Sequence, residues 1–228
     1  MSVPAYYCIT LVEVPIIEGK LDEAFKVFTE HAMGLAYTSS RPGFLSLDVA
    51  LDAEKNSVIL FERWVKKDDW TAYMATRAVD NAANTSWNET FGPLVSGAPR
   101  MVAMDCLENY AGSVVLAKGA IYGVTLVEVP IIEGKLDEAF KVFTEHAMGL
   151  AYTSSRPGFL NLDIALDAEK NSVILFERWE KKADWTAYMA TRAVDNAANT
   201  SWNENFGPLV SGAPRMVAMD CLKTYSAM

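Results

Sequence analysis

Apolar and polar positions along this chain follow two periods, and the switches between them come in a fixed order. From Tyr7 to Ile16, branched and aromatic residues alternate with smaller or polar ones, which predicts a first strand ended by Pro15 and Glu18-Gly19. Leu21, Ala24, Phe25, Phe28, Ala32 and Leu35 then recur at helical spacing, predicting one helix that stops near Ser39-Ser40-Arg41-Pro42-Gly43. Phe44 to Leu51 reads as a second strand, Asp52 to Asn56 as a turn, and Ser57 to Trp64 as a third strand. A second helix is expected from Asp69 or Trp70, with Asp68 as its cap. Asn84 to Ser96 is a mixed helix-and-loop stretch broken by Gly92-Pro93, and Arg100 to Leu107 supplies a fourth strand.

The same pattern then occurs again. Thr10 to Leu107 recurs as Thr125 to Leu222, shifted by 115 residues without a gap. Five of the 98 paired positions differ: Ser46/Asn161, Val49/Ile164, Val65/Glu180, Asp68/Ala183 and Thr90/Asn205. The predicted organisation is one domain at 1–107, a linker at 108–120 and a second domain at 121–228. The order β-α-β-β-α-β within each is that of a ferredoxin-like unit, so the fold class is α+β. Such a sheet carries helices on one face only. Two copies can bury their bare faces together and close their edges, which predicts an intramolecular α+β barrel pseudo-dimer.

Composition narrows the function classes. A formal charge of −9 without a basic stripe argues against nucleic acid or an anionic membrane as partner. No apolar stretch approaches the roughly 18 residues that span a bilayer. The opening Met1-Ser2-Val3-Pro4-Ala5-Tyr6-Tyr7 lacks the basic and apolar regions of a secretory signal, so a cytoplasmic location is expected. Cys8, Cys106 and Cys221 form no close-spaced set, which fits reduced thiols and neither a disulfide framework nor a zinc site. No Gly-rich phosphate loop, nucleophile elbow or Cys-His pair is present.

Several segments, in order, resemble the antibiotic biosynthesis monooxygenase (ABM) domains of the dimeric α+β barrel superfamily. They are Glu18-Gly19-Lys20 before Phe25-Lys26-Val27-Phe28, then Arg41-Pro42-Gly43-Phe44-Leu45, Phe61-Glu62-Arg63-Trp64, and Phe91-Gly92-Pro93-Leu94. The likeness covers both repeats. It implies a pocket in each domain between the sheet and its helices. Several members of that family oxidise aromatic polyketides with molecular oxygen and neither metal nor flavin, so no cofactor is expected. Others degrade haem with a histidine on the second helix, where this chain has Tyr73 and Tyr188.

Within each repeat the candidate chemistry is limited. His31 and His146 are the only histidines. On an ideal wheel His31 falls at the flank of the buried stripe, where it is either a half-buried structural residue or a general base. One histidine per domain is a poor metal ligand set, so no metal is expected. The resemblance puts Trp64 and Trp179 beside the pocket, the alternative being a packed aromatic at a strand end. Glu62 points the same way as Trp64 and could instead pair with Arg77. On the second helix Trp70, Met74, Arg77, Asn81, Asn84 and Asn88 share a face with Tyr73 at its margin, unless the helix breaks near Asn81 and frees the amides to solvent.

The expected assignment has His31, Tyr73 and Arg77 as catalytic residues, with His146, Tyr188 and Arg192 in the copy. Trp64, Trp70, Asn81 and Asn84, with Trp179, Trp185, Asn196 and Asn199, are expected to bind substrate. The expected function is a cofactor-independent monooxygenase acting on a small hydrophobic or aromatic molecule, polyketide- or quinol-like. The alternative is a non-catalytic small-molecule-binding module or a scaffold for a further homo-oligomer, with haem binding or degradation a third reading.

Overall fold

A computed structural model of the protein describes residues 7–112 and 121–226. In the first repeat the strands are β1 (Cys8–Pro15), β2 (Phe44–Asp52), β3 (Ser57–Trp64) and β4 (Arg100–Ala111). Its helices are α1 (Leu21–Glu30), α2 (Leu35–Ser39), α3 (Lys67–Arg77) and α4 (Ala82–Phe91), the last followed by a 3-10 turn at Gly92–Leu94. The second repeat mirrors it with β5 (Tyr122–Pro130), β6 (Phe159–Asp167), β7 (Ser172–Trp179) and β8 (Arg215–Ser226). Its helices are α5 (Leu136–Glu145), α6 (Leu150–Ser154), α7 (Lys182–Arg192) and α8 (Ala197–Phe206).

The sheets are antiparallel in ferredoxin-like order. β1 pairs with both β3 and β4, and β3 also pairs with β2. Strand order runs β1-β3-β2-β8-β5-β7-β6-β4 and closes on itself, as the α+β barrel reading requires.

The chain divides into two compact units, and their boundary falls inside a strand. One unit comprises Met1–Asp105 with Cys221–Met228, the other Cys106–Asp220. β4 does not stop at Leu107. Glu108 to Ala111 continue it by pairing with Ile164 to Asn161 of β6. The end of β8 likewise pairs with β2, Ser226 facing Ser46 and Cys221 facing Ala50. The first four residues of the expected linker are therefore strand, because an unpaired edge of β6 takes up their backbone donors and acceptors. The remaining linker positions at 113–120, and the opening residues 1–6, lie outside the described residues.

Both predicted helices are in fact pairs. α1 ends at Glu30, His31 is extended with φ −69° and ψ 142°, and α2 begins only at Leu35. Gly34 makes this corner possible. A Cβ there would meet the Phe28 carbonyl oxygen at 2.2 Å, so the chain turns back tightly against the end of α1. The second helix breaks where the sequence allowed a break: α3 ends at Arg77 and α4 starts after Asn81. α3 starts at Lys67, which puts Asp68 and Asp69 in its first turn, where carboxylates favour the helix dipole, and not at the cap.

Alternation along β3 selects what faces the helices. Val58, Leu60 and Trp64 join the buried cluster that also holds Ala24, Phe28, Leu35, Tyr73 and Phe91. Glu62 occupies the same row of alternating positions and is only 2 % exposed. In the second repeat Val173, Leu175 and Trp179 pack with Ala139, Phe143, Leu150, Tyr188 and Phe206, and Glu177 is equally buried.

Candidate active site

A carboxylate in an apolar row is costly unless donors reach it. Glu62 faces Thr10 across the β1–β3 pair, and the Thr10 hydroxyl donates to its Oε2 at 2.9 Å. The Trp64 indole N–H, two residues along the strand, donates to the same oxygen at 3.0 Å. In the second repeat Thr125 and Trp179 donate to Glu177 Oε2, both at 2.9 Å. Burial is the largest influence and raises the pKa of both glutamates above the usual carboxylate value; the indole, the threonine and the nearby arginine hold it down.

The partner arginine comes from α3 or α7. Tyr73 and Arg77 are four residues apart and so share a helix face. Arg77 Nε donates to the Tyr73 oxygen at 2.9 Å, and Tyr73 meets Thr38 Oγ1 of α2 at 2.9 Å. Arg192, Tyr188 and Thr153 repeat this at 2.8 Å for each contact. Thr153 in turn faces the Gly149 carbonyl oxygen at 3.3 Å, so the order tyrosine to threonine to carbonyl satisfies every hydroxyl. Burial raises the pKa of both tyrosines, which keeps them neutral phenols. Each arginine also lies over aromatic faces. Arg192 sits 5.0 Å from the Trp202 ring centre, 5.2 Å from Tyr152 and 5.3 Å from Tyr188. Its Nη1, like that of Arg77, is buried without a hydrogen-bond partner.

In the second unit these groups border a cavity of about 380 Å³. Phe143, Trp202 and Phe206 supply aromatic wall, and Glu177, Tyr188 and Arg192 are its buried or half-buried polar groups. Trp202 and Phe206 stack on each other, with ring centres 4.9 Å apart, and Phe143 meets both edge-on. This volume lies within the range of about 300–1,000 Å³ typical of small-molecule sites, which pair apolar walls with a few convergent polar groups. The first unit has the same residues with the same bonds, Trp87 stacking on Phe91 and Phe28 edge-on to both.

The expected site residues fall into three groups. Tyr73 and Arg77, with Tyr188 and Arg192, come together beside Glu62 and Glu177 as described. Trp64 and Trp179 are fully buried and stack on Tyr73 and Tyr188 at 5.2 and 5.3 Å. They are not exposed walls for a substrate; they hold the glutamate and back the tyrosine. The rest stand apart from the cavity. Trp70 and Trp185 are half-buried with indole N–H groups that make no hydrogen bond, although Trp185 favours the charged form of Glu177. Asn81 caps α4, its Oδ1 accepting from the N–H groups of Ala83 and Asn84 at 3.0 Å, and Asn196 caps α8 through Asn199 N–H at 2.9 Å. Asn84 Nδ2 ties the two helices together by donating to the carbonyls of Thr76 and Val79, as Asn199 does to Thr191 and Val194.

The histidines require the largest correction. Because α1 ends at Glu30, His31 is not on the helical stripe at all. Its Nδ1 accepts from the Met33 N–H at 3.0 Å, and its Nε2 faces Ser86 Oγ at 3.3 Å. His146 is bound in the same way and borders a separate shallow depression with Glu138, Lys141 and Glu145. Conversely, Trp87 and Trp202 line the arginine's cage and lie outside the expected site residues. The spacing Asn84, Trp87, Phe91 along one helix face carries that signal once Asn81 is read as a cap.

The family model for antibiotic biosynthesis monooxygenases matches residues 9–85 and again 124–200. The chain therefore belongs to the antibiotic biosynthesis monooxygenase family, as a tandem duplication of its domain. Among solved structures it is similar to a monooxygenase-named protein from Fusobacterium nucleatum, with TM-score 0.72 and 13% identity over 98% of this chain and 96% of that one. It is also similar to an anthrone oxidase-like protein, with TM-score 0.68, 17% identity, and 97% and 93% covered. A monooxygenase-named protein from Lactobacillus acidophilus follows at TM-score 0.63 and 10% identity, with 97% and 96% covered. At such identities these likenesses establish the fold. No curated protein matches the sequence.

Proposed function

We propose that each repeat binds a small hydrophobic, oxygen-bearing aromatic molecule and oxidises it with molecular oxygen, as a monooxygenase without metal or flavin. The observation that carries this reading is an aromatic-walled cavity whose wall includes an arginine with its buried Nη1 uncommitted. An electron-rich enolate or phenolate can itself reduce oxygen. A protein that assists it needs a water-poor pocket, a cation to hold the oxyanion and an acceptor for the proton. For an anthrone-type substrate the balance is a CH2 group plus O2 giving C=O plus water, by way of a hydroperoxide that loses water. The anthrone oxidase-like structural neighbour makes this substrate class a reasonable first probe.

The arrangement disfavours haem ligation by Tyr73 or Tyr188. Each phenol keeps its proton, and its oxygen already bonds arginine and threonine. Oxygen uptake with anthrone, read together with native mass spectrometry, tests the proposal. Uptake with quinone formation supports it. Tight binding of anthrone without uptake assigns the chain to the binding-module class, and neither binding nor uptake removes the aromatic substrate.

A further inference from the structure

Resting on the oxygenase reading, we infer that Glu62 and Glu177, and not the histidines, accept the proton that the substrate must lose before it meets oxygen. Glu177 borders the cavity, whereas His146 is not among the residues lining it. Thr125 on β5 and Trp179 on the same strand as Glu177 both donate to Glu177 Oε2, and the Trp185 indole on α7 also favours its charged form. Oε1 accepts from neither Thr125 nor Trp179 and is the oxygen open to a bound molecule, and the fixed Oε2 aims it. The charged and titratable groups facing this carboxylate are Arg192 and Tyr188, both from α7. Burial raises this carboxylate above the usual value, in the direction that favours proton acceptance, while the indole, the threonine and Arg192 hold it down. The threonine and strand-indole contacts recur around Glu62.

The step is balanced without further reagents. The substrate C–H or O–H bond breaks, its proton forms a bond to Oε1, and the electron pair stays on the substrate as an enolate. The Arg192 guanidinium, the one cation among the described residues lining the cavity, offsets the new charge as the charge on Glu177 is lost. Site charge is therefore conserved during transfer, which suits a desolvated pocket. Oxidation by O2 follows as a separate event.

Anaerobic hydrogen–deuterium exchange isolates this step from oxygen chemistry. The intact chain in D2O under nitrogen is given anthrone, and exchange of its CH2 protons is followed by NMR above the uncatalysed rate. Wild type is expected to accelerate exchange. E62Q/E177Q keeps the acceptor for threonine and indole, so it is expected to bind anthrone comparably and to lose exchange by at least ~100-fold. E62D/E177D, with a base set back by one methylene, is expected to fall between. H31Q/H146Q is expected to exchange like wild type. Exchange that survives in the glutamine variant, or disappears in the histidine variant, overturns the inference while the oxygenase reading stands. Wild type that binds anthrone and takes up oxygen without exchange also overturns it. Wild type that does not bind anthrone at all defeats both.

Discussion

Two polar clusters flank the Trp202 ring, and they differ in what they have left to offer a ligand. On one side His146 meets the ring edge-on at 5.5 Å, with one nitrogen accepting from a backbone N–H and the other facing a serine. On the other side Arg192 lies 5.0 Å from the same ring, bonded to Tyr188 but with Nη1 free of partners, near a glutamate with one oxygen committed. The histidine is the residue type more often associated with proton transfer, yet its local bonds make it a corner brace. The less conspicuous glutamate and arginine keep capacity facing a cavity. Uncommitted donors and acceptors, more than residue type, mark the side on which chemistry is possible.

The contrast breaks most sharply at the arginine. R77M/R192M keeps much of the side-chain volume and removes the cation from both repeats. Turnover of an anthrone-type substrate is expected to fall by roughly 100- to 1,000-fold, the scale found when one preorganised oxyanion donor is lost. Initial rates of oxygen uptake check this, with near-ultraviolet circular dichroism reporting that the tryptophan cluster is intact. Unchanged turnover would place the chemistry elsewhere and cancel the distinction between the two sides of the ring.

A second test sharpens the glutamate side through stability. The folded carboxylates bind protons more readily than the ordinary value of 4.5 would allow, because burial raises them. Between 4.5 and the raised value the folded state holds more protons than the unfolded state, so stability falls as pH rises through that window. Above it the full cost of the buried charge remains. E62Q/E177Q, which has no charge to bury, is expected to melt higher than wild type at pH 8. The gap should close as pH drops below 4.5. Thermal melts at a series of pH values decide the point, and a variant that melts lower at pH 8 contradicts the assignment of burial as the dominant influence.

The sequence carried the architecture further than it carried the site. Period-two runs and the 115-residue repeat are enough for the order of strands along each repeat and the duplicated ferredoxin-like unit. They did not reveal that β4 and β8 extend past the repeat into pairing with β6 and β2, since that depends on which edge is vacant and not on local pattern. Tyr73 and Arg77 were legible because i,i+4 residues on a helix must meet. A wheel cannot place His31, because the helix ends at Glu30 and the close approach of Gly34 to the Phe28 carbonyl is a three-dimensional fact that no periodicity encodes. Glu62 was visible as an inward-facing residue, but only the shared Oε2 of its two bonds shows which oxygen remains.

The smallest effect is expected where the residue type promised the most. In H31A/H146A each repeat loses the acceptor for Met33 or Met148 N–H and the edge contact to Trp87 or Trp202. A single neutral hydrogen bond contributes about 0.5–1.5 kcal/mol, so each half should lose on the order of 1 kcal/mol. Urea unfolding should show a lower midpoint with an unchanged slope, because the same surface is exposed. Turnover of an anthrone-type substrate should stay within about twofold, since a loss on this scale at a brace leaves the Arg192 guanidinium still bonded to Tyr188. Should turnover instead collapse while the urea midpoint holds, the imidazole reaches the substrate in some conformation, and the line drawn across the tryptophan ring is in the wrong place.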